Sequence, residues 1–235
     1  MEVRFAVAKV SKYAMRESGD TLEMIERPHG GLSMVLVDGQ RSGRPAKAIS
    51  NVVARKAVHL LAEGVRDGAA ARAAHDYLYT YRGGKVSATL NILSMDIQTK
   101  TFVISRNNPA PVIVYTAEQG LYALDEPVSV VGFHRNVKPS ITEVPVALGT
   151  LIVVFTDGLS HAGSLSGAPA LNPLAIVRTL ISASSCSPQQ VVDTLLGRAL
   201  QLEQGRPRDD ISVIAMAVVE SEGQQIRRLS GQVPL

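Results

Sequence analysis

Residues 3–9 (Val3-Arg4-Phe5-Ala6-Val7-Ala8-Lys9) alternate apolar with polar or small side chains. That two-residue period predicts a strand with one buried face. Residues 21–27 and 32–37 are strand-like as well, and Pro28-His29-Gly30-Gly31 between them is a short glycine-bearing hairpin loop. After Asp38-Gly39 the period changes. Pro45 suits a first helical turn, and Ala46, Ile49, Val53, Ala57, Leu60 and Leu61 then recur at helical spacing up to Gly64. Asp67 is read as the cap of a second helix that runs to Tyr81, where Gly83-Gly84 ends it. Tyr77, Tyr79 and Tyr81 near its end are expected to pack that end onto a sheet.

Strands return at 87–95 and 101–105, with Asp96 in the turn between them. Further strands are predicted at 112–115, 120–124, 141–146 and 151–155. The last of these, Leu-Ile-Val-Val-Phe, is apolar at every position and reads as a central strand covered on both faces. Residues 160–173 are rich in Ser, Gly, Ala and Pro and are expected to form a surface loop. Ser187-Pro188-Gln189-Gln190 predicts a helix start, with Ser as cap, Pro at the first position and Gln three beyond the cap. A final strand spans 211–219. Strands in groups, with helices inserted between them, predict an α+β fold rather than a doubly wound parallel sheet. The expected organisation is a single domain over 1–220 and a polar tail over 221–235.

Composition narrows the function classes. The chain has 235 residues, 46% of them hydrophobic, and a formal net charge of +3. Its short basic spots do not interleave with aromatics, which argues against nucleic-acid binding. The longest apolar stretch, 146–155, is too short for a membrane span and is broken by Gly149 and Thr150. No long apolar region follows the N-terminus, and Cys186 is the only cysteine. A cytoplasmic protein without a membrane partner is expected.

Candidate chemistry lies in four aspartates beside strand-like runs: Asp20, Asp38, Asp157 and Asp209. A strand aims its terminal carboxylate in a fixed direction, and an adjacent glycine lets backbone approach closely. Carboxylates gathered at one sheet end repel one another, and a hard divalent cation with oxygen ligands is the natural compensation. Competing sites are weak. His29, His59, His75 and His134 lack zinc spacing, Ser42 and Ser160 have no base partner, and residues 39–43 lack the Gly-Lys-Ser/Thr of a nucleotide phosphate loop. His161 reads as a solvent-facing histidine, Cys186 as structural, and Asp210 as a backbone-bonding residue rather than a ligand.

Four motifs occur in order: Ser18-Gly19-Asp20; Asp38-Gly39 with Gly43 and Pro45-Ala46; Thr156-Asp157-Gly158-Leu159; and Arg208-Asp209-Asp210-Ile211-Ser212-Val213. This set resembles the metal-dependent PP2C serine/threonine phosphatases, and most closely their SpoIIE-like bacterial branch. Ala88-Thr89-Leu90, Asp96 and Asn108-Pro109-Ala110-Pro111 also fall where that family has comparable segments. The resemblance implies a PP2C-like α-β-β-α sandwich of two antiparallel sheets flanked by helices. It implies two Mn²⁺ or Mg²⁺ ions shared by Asp38, with the Gly39 carbonyl and Asp20 on one ion and Asp157 and Asp209 on the other. The nucleophile would be a metal-bound hydroxide, and Arg16 would grip the substrate phosphate. The substrate would be a phosphorylated protein of sigma-factor partner switching, such as an anti-sigma-factor antagonist.

The chain departs from the pattern at three places, the first being Thr21-Leu22 after Asp20, where the branch often has aromatic residues. Arg41-Ser42-Gly43 stands where sensor-linked members have Gly-His-Gly, and His161 stands where an acid is common. Two alternatives stay open at this point. One is a catalytically silent binding module on the same fold. The other is a two-metal phosphoester hydrolase acting on a small molecule.

Overall fold

The computed structural model describes residues 1–164, 169–183, 186–221, 223 and 226–233. The chain opens with three strands, β1 (Glu2–Val10), β2 (Asp20–Glu26) and β3 (Leu32–Gly39), then two helices, α1 (Gly43–Ala62) and α2 (Asp67–Arg82). Six strands follow that pass back and forth between two sheets: β4 (Ala88–Asp96), β5 (Thr101–Asn107), β6 (Val112–Thr116), β7 (Gly120–Leu124), β8 (Ser140–Pro145) and β9 (Leu151–Phe155). Three helices, α3 (Asp157–His161), α4 (Pro173–Ser182) and α5 (Pro188–Leu202), precede the last strand, β10 (Ile211–Val219).

The strands form two five-stranded antiparallel sheets. One has the order β1-β10-β9-β6-β7 and the other β2-β3-β4-β5-β8. Strict alternation along the central strands explains the layering. Met34 and Leu36 of β3 face the space between the sheets, where they meet Leu93, Phe102, Ile152, Val154, Ile214 and Met216. Val35 and Val37, one position out of phase, pack instead under Ile49, Val53, Ala57 and Leu61 of α1 and Ala74 and Leu78 of α2. The other sheet repeats the scheme: Val153, Phe155 and Val213 pack under Val191, Val192 and Leu195 of α5 and Val177 of α4. A strand covered on both faces must be apolar at every position, and β9 is. Each fully buried aliphatic side chain of this kind contributes about 1.5–3 kcal/mol. The result is the α-β-β-α sandwich that the resemblance implies.

Local signals hold at several ends. Asp96 Oδ1 accepts from the backbone N–H groups of Gln98 and Thr99, at 2.8 and 3.2 Å, and so forms the expected turn. Ser187 and Gln190 form a reciprocal capping box at the start of α5. Three expectations change. Arg66, not Asp67, occupies the cap position of α2, and no side chain caps it. The Asp67 carboxylate turns inward instead, where it accepts from the Ser94 hydroxyl and lies 3.6 Å from the Arg27 guanidinium. Burial raises its pKa, and the Ser94 and Arg27 contacts offset part of the cost of taking the carboxylate out of water.

Residues 160–173 are not simply a loop. The short α3 ends inside that stretch and α4 begins at its edge, with the Asn172 side chain as cap and Pro173 in the first turn. Residues 165–168 of the stretch lie outside the described residues. Finally, Tyr77 and Tyr81 do not pack on a sheet. One helical turn apart, they stack with ring centroids 5.9 Å apart and face solvent.

Candidate active site

Hairpin pairing brings the first two acids together. The register of β2 against β3 sets Asp20 directly opposite Asp38, a spacing that holds Cβ atoms about 5 Å apart. The two remaining acids come from the other sheet. Asp157 opens α3 two residues after β9 ends, and Asp209 lies two residues before β10 begins. Because β9 and β10 are neighbours, both acids emerge at one end of that sheet. Asp38, Gly39, Asp157 and Asp209 all line one cleft of about 310 Å³, together with the cations Lys12 and Arg41.

Two glycines permit this convergence. A Cβ on Gly39 would collide with the backbone carbonyl of Ala46 in α1, and one on Gly158 with that of Asp210. Gly39 therefore lets α1 start against the end of β3, and Gly158 lets α3 start against the entry to β10. Side chains fix the rest. Asp210 accepts from the backbone N–H of Lys12 at 3.0 Å and from that of Gly19 at 2.8 Å, tying the 11–19 segment to β10 as a backbone-bonding residue should. Asn108 donates to the carbonyl of Phe155 at 3.2 Å and accepts from the N–H of Ala110, so it supports the turn that presents Asp157.

Asp20 holds a different place from the other three. It is fully buried. Its Oδ2 accepts from the hydroxyls of Ser212 (2.6 Å) and Thr156 (3.1 Å), which joins β2 to the opposite sheet. Its Oδ1 is buried with no hydrogen-bond partner. The Lys9 and Lys47 ammonium groups both donate to its backbone carbonyl, at 2.6 and 2.7 Å. Arg16 stands exposed between β1 and β2, outside the residues that line the cleft. His161 is exposed as expected, with Nδ1 3.8 Å from an Asp157 oxygen.

The electrostatics follow from crowding. Burial, and then the charges of Asp20, Asp157 and Asp209, push the Asp38 carboxyl up to about 9. Burial raises Asp20 to about 6, against the opposing pull of the Ser212 hydrogen bond. Asp209 is raised as well, chiefly by burial. The cluster therefore binds a proton at neutral pH unless another positive charge replaces it.

The donors suit a hard divalent cation in kind: carboxylates, a reachable Gly39 carbonyl, and one buried carboxylate oxygen without a partner. Among the described residues, no three His, Cys, Asp or Glu side chains are arranged to hold an ion by themselves. Waters would have to complete the ligand sets. That fits Mg²⁺ in particular, which keeps several waters and binds through one or two carboxylates.

Lys12, Thr156 and Ser212 escape a reading of the residues as ligands. Thr156 and Ser212 nonetheless carried a signal, because each is a hydroxyl residue in or beside an apolar strand run. Lys12 carried none. It reaches the cleft because Asp210, 198 residues away, holds its backbone, and Pro207 holds that of Tyr13 beside it.

Solved structures share this architecture. The PP2C phosphatase domain of Bacillus subtilis SpoIIE, with a fragment of its regulatory domain, superposes with a TM-score of 0.77 at 17% identity, covering 93% of this chain and 63% of that one. The RsbU and RsbW domains of a Mycobacterium tuberculosis protein give 0.70 at 19% identity, covering 93% of this chain and 61% of that one. RsbX in complex with magnesium gives 0.68 at 14% identity, covering 91% of this chain and 94% of that one. The chain thus spans under two thirds of the first two chains. At these identities the likeness speaks for the fold. No curated protein sequence matches the chain. A sequence model of one family, described as Stage II sporulation protein E (SpoIIE), matches residues 28–219, which take in the second, third and fourth acidic motifs and every strand from β3 to β10. The chain therefore belongs to the SpoIIE family and carries its domain on a PP2C fold.

Proposed function

We propose that the chain is a protein serine/threonine phosphatase that hydrolyses phosphoserine or phosphothreonine with Mn²⁺ or Mg²⁺ at the Asp38 cleft. One observation carries this reading: Asp38, Gly39, Asp157 and Asp209, from three separate parts of the chain, line a single cleft. Asp38 would serve both ions, Gly39 would help hold one of them, and Asp157 and Asp209 would complete the set of the other. Asp20, buried behind Asp38, would act through its pairing with β3 and through its free Oδ1. Bound there, the ions would supply an activated water and neutralise charge on the phosphoryl group.

The chain's own residues do the positioning. The Asp20–Ser212–Thr156 bonds lock the two sheets at the cleft floor, so the acids from either sheet keep their spacing. The cleft is open and carries charge of both signs, which suits a side chain presented by a folded protein. A small regulatory domain of partner-switching type is the proposed substrate. Support comes from likeness to RsbU and RsbX domains and from membership of the SpoIIE family. Among the described residues, no helix is long and apolar enough to cross a membrane.

The test is phosphate release from a panel of phosphoserine and phosphothreonine peptides, with Mn²⁺ or with EDTA, by wild type and Asp38→Asn. Manganese-dependent release that disappears in the folded variant supports the reading. Release from nucleotides but not peptides would make the chain a small-molecule phosphoester hydrolase. No release with any metal from a folded wild type would make it a binding module.

A further inference from the structure

Arg41 is the one residue of its loop that the fold does not use. The loop is pinned on both sides. Gln40 exchanges two bonds with Ser87: its N–H donates to the Ser87 carbonyl at 3.1 Å, and its Oε1 accepts from the Ser87 N–H at 3.2 Å. On the other side, Lys12 Nζ donates to the Ser42 hydroxyl at 3.5 Å. Between these anchors Arg41 adopts φ 78°, in the left-handed region. A side chain with a Cβ is strained there, whereas glycine is not. The exposed guanidinium makes no ion pair or hydrogen bond among the described residues, although it lines a cleft with three aspartates.

A position that favours glycine, held by a bulky cation that contributes nothing to the fold, points to a ligand. We propose that Arg41 and Lys12 form the anion subsite that receives the substrate's phosphoryl group. This deepens the phosphatase reading and rests on it for the identity of the ligand. The two cations enter from opposite segments, Lys12 after β1 and Arg41 after β3, and both lie in the cleft that holds Asp38, Asp157 and Asp209. Arg41 supplies a planar fork that matches two phosphoryl oxygens, and Lys12 supplies a point charge. Each anchor has a purpose in this arrangement. Asp210 fixes the Lys12 backbone, and the paired Gln40–Ser87 bonds hold the backbone next to Arg41. The cleft can thus hold a phosphate without Arg16.

The experiment compares wild type with Arg41→Gly, Arg41→Asn and Arg41→Lys at saturating Mn²⁺. It reads KM and kcat for a phosphopeptide, inhibition by inorganic phosphate, and the melting temperature. Arg41→Gly should raise KM and the phosphate inhibition constant together by about 10- to 100-fold, the range for loss of one charge-assisted contact. Its melting temperature should hold or rise, because strain is relieved. Arg41→Lys should recover part of the loss. Arg41→Asn tolerates positive φ and repeats the test if the glycine variant does not fold.

Unchanged constants in a folded Arg41→Gly would overturn the proposal. So would tighter Mn²⁺ binding with unchanged phosphate inhibition, since Arg41 would then be only a counter-charge to the acids. If the wild type hydrolyses no peptide, calorimetric titration with inorganic phosphate separates the two readings. Arg41-dependent binding keeps the subsite although the phosphatase reading falls, and absence of binding sinks both.

Discussion

Burial of the Asp38 carboxylate, and then its crowding by other acids, lowers the stability of the metal-free fold near neutral pH in a way that one substitution should reveal. Asp38 ionises at 3.8 in an unfolded chain, but the folded cleft holds it protonated up to about 9. The folded state therefore binds more protons than the unfolded state between those limits. Stability contributed by the group is full below pH 4 and falls as pH rises towards 9. At pH 7 this mismatch costs the fold about 4 kcal/mol, at about 1.4 kcal/mol per pH unit. Asp38→Asn keeps the shape and removes the charge. In EDTA at pH 7 it should raise stability by about 2–4 kcal/mol, because part of the repulsion persists among Asp20, Asp157 and Asp209. For a domain of this size that is a rise of roughly 4–16 °C in melting temperature. The assay is a set of thermal melts at pH 5, 7 and 9, with EDTA and with Mn²⁺. Wild type in EDTA should lose stability steadily from pH 5 to 9, and Asp38→Asn should lose much less. Manganese should stabilise wild type most at high pH and the variant little at any pH. A wild type whose stability in EDTA does not fall with pH, or an Asp38→Asn protein less stable than wild type at pH 7, would refute the reasoning.

Three further outcomes follow from single contacts. Ser212→Ala leaves the buried Asp20 Oδ2 with Thr156 alone; urea unfolding should show a loss of about 1–3 kcal/mol, together with weaker Mn²⁺ stabilisation. Gly158→Ala forces a methyl into the Asp210 carbonyl; it should cost about 1–3 kcal/mol by denaturant and abolish phosphate release, since α3 and the entry to β10 must separate. Ser187→Ala breaks the α5 capping box, far from the cleft; it should cost about 1 kcal/mol by the same measurement and leave kcat unchanged.

Much of the fold is legible where the determining forces are local. Alternation marks β1, an unbroken apolar run marks β9, and Ser187-Pro188 with Gln190 marks the start of α5, because period and capping act within a few residues. The short α3 is not legible, because five residues are too few to show a period. The start of α4 is hidden by the Ser-, Gly- and Ala-rich stretch before it, although Asn172-Pro173 caps it and Leu174, Val177, Leu180 and Ile181 recur at helical spacing. Asp67 has the sequence signature of a cap, but Ser94 and Arg27, distant in the chain, claim its carboxylate. Local chemistry allowed both roles, and packing chose between them.

The site divides along the same line. The sequence by itself determined which carboxylates stand at strand ends and which glycines follow them, since strand periodicity and the Asp-Gly pair are properties of neighbouring residues. It also determined the family, through the order of those motifs. Only the tertiary structure decided that β1 and β2 part into different sheets, with β1 paired along its length to β10. Only it set Asp20 beneath the cleft with one oxygen unpartnered, left Arg16 outside, and brought Lys12 and Arg41 in. Those placements depend on contacts up to 198 residues apart. Such contacts form when buried surfaces match, and no stretch of neighbouring residues encodes that match.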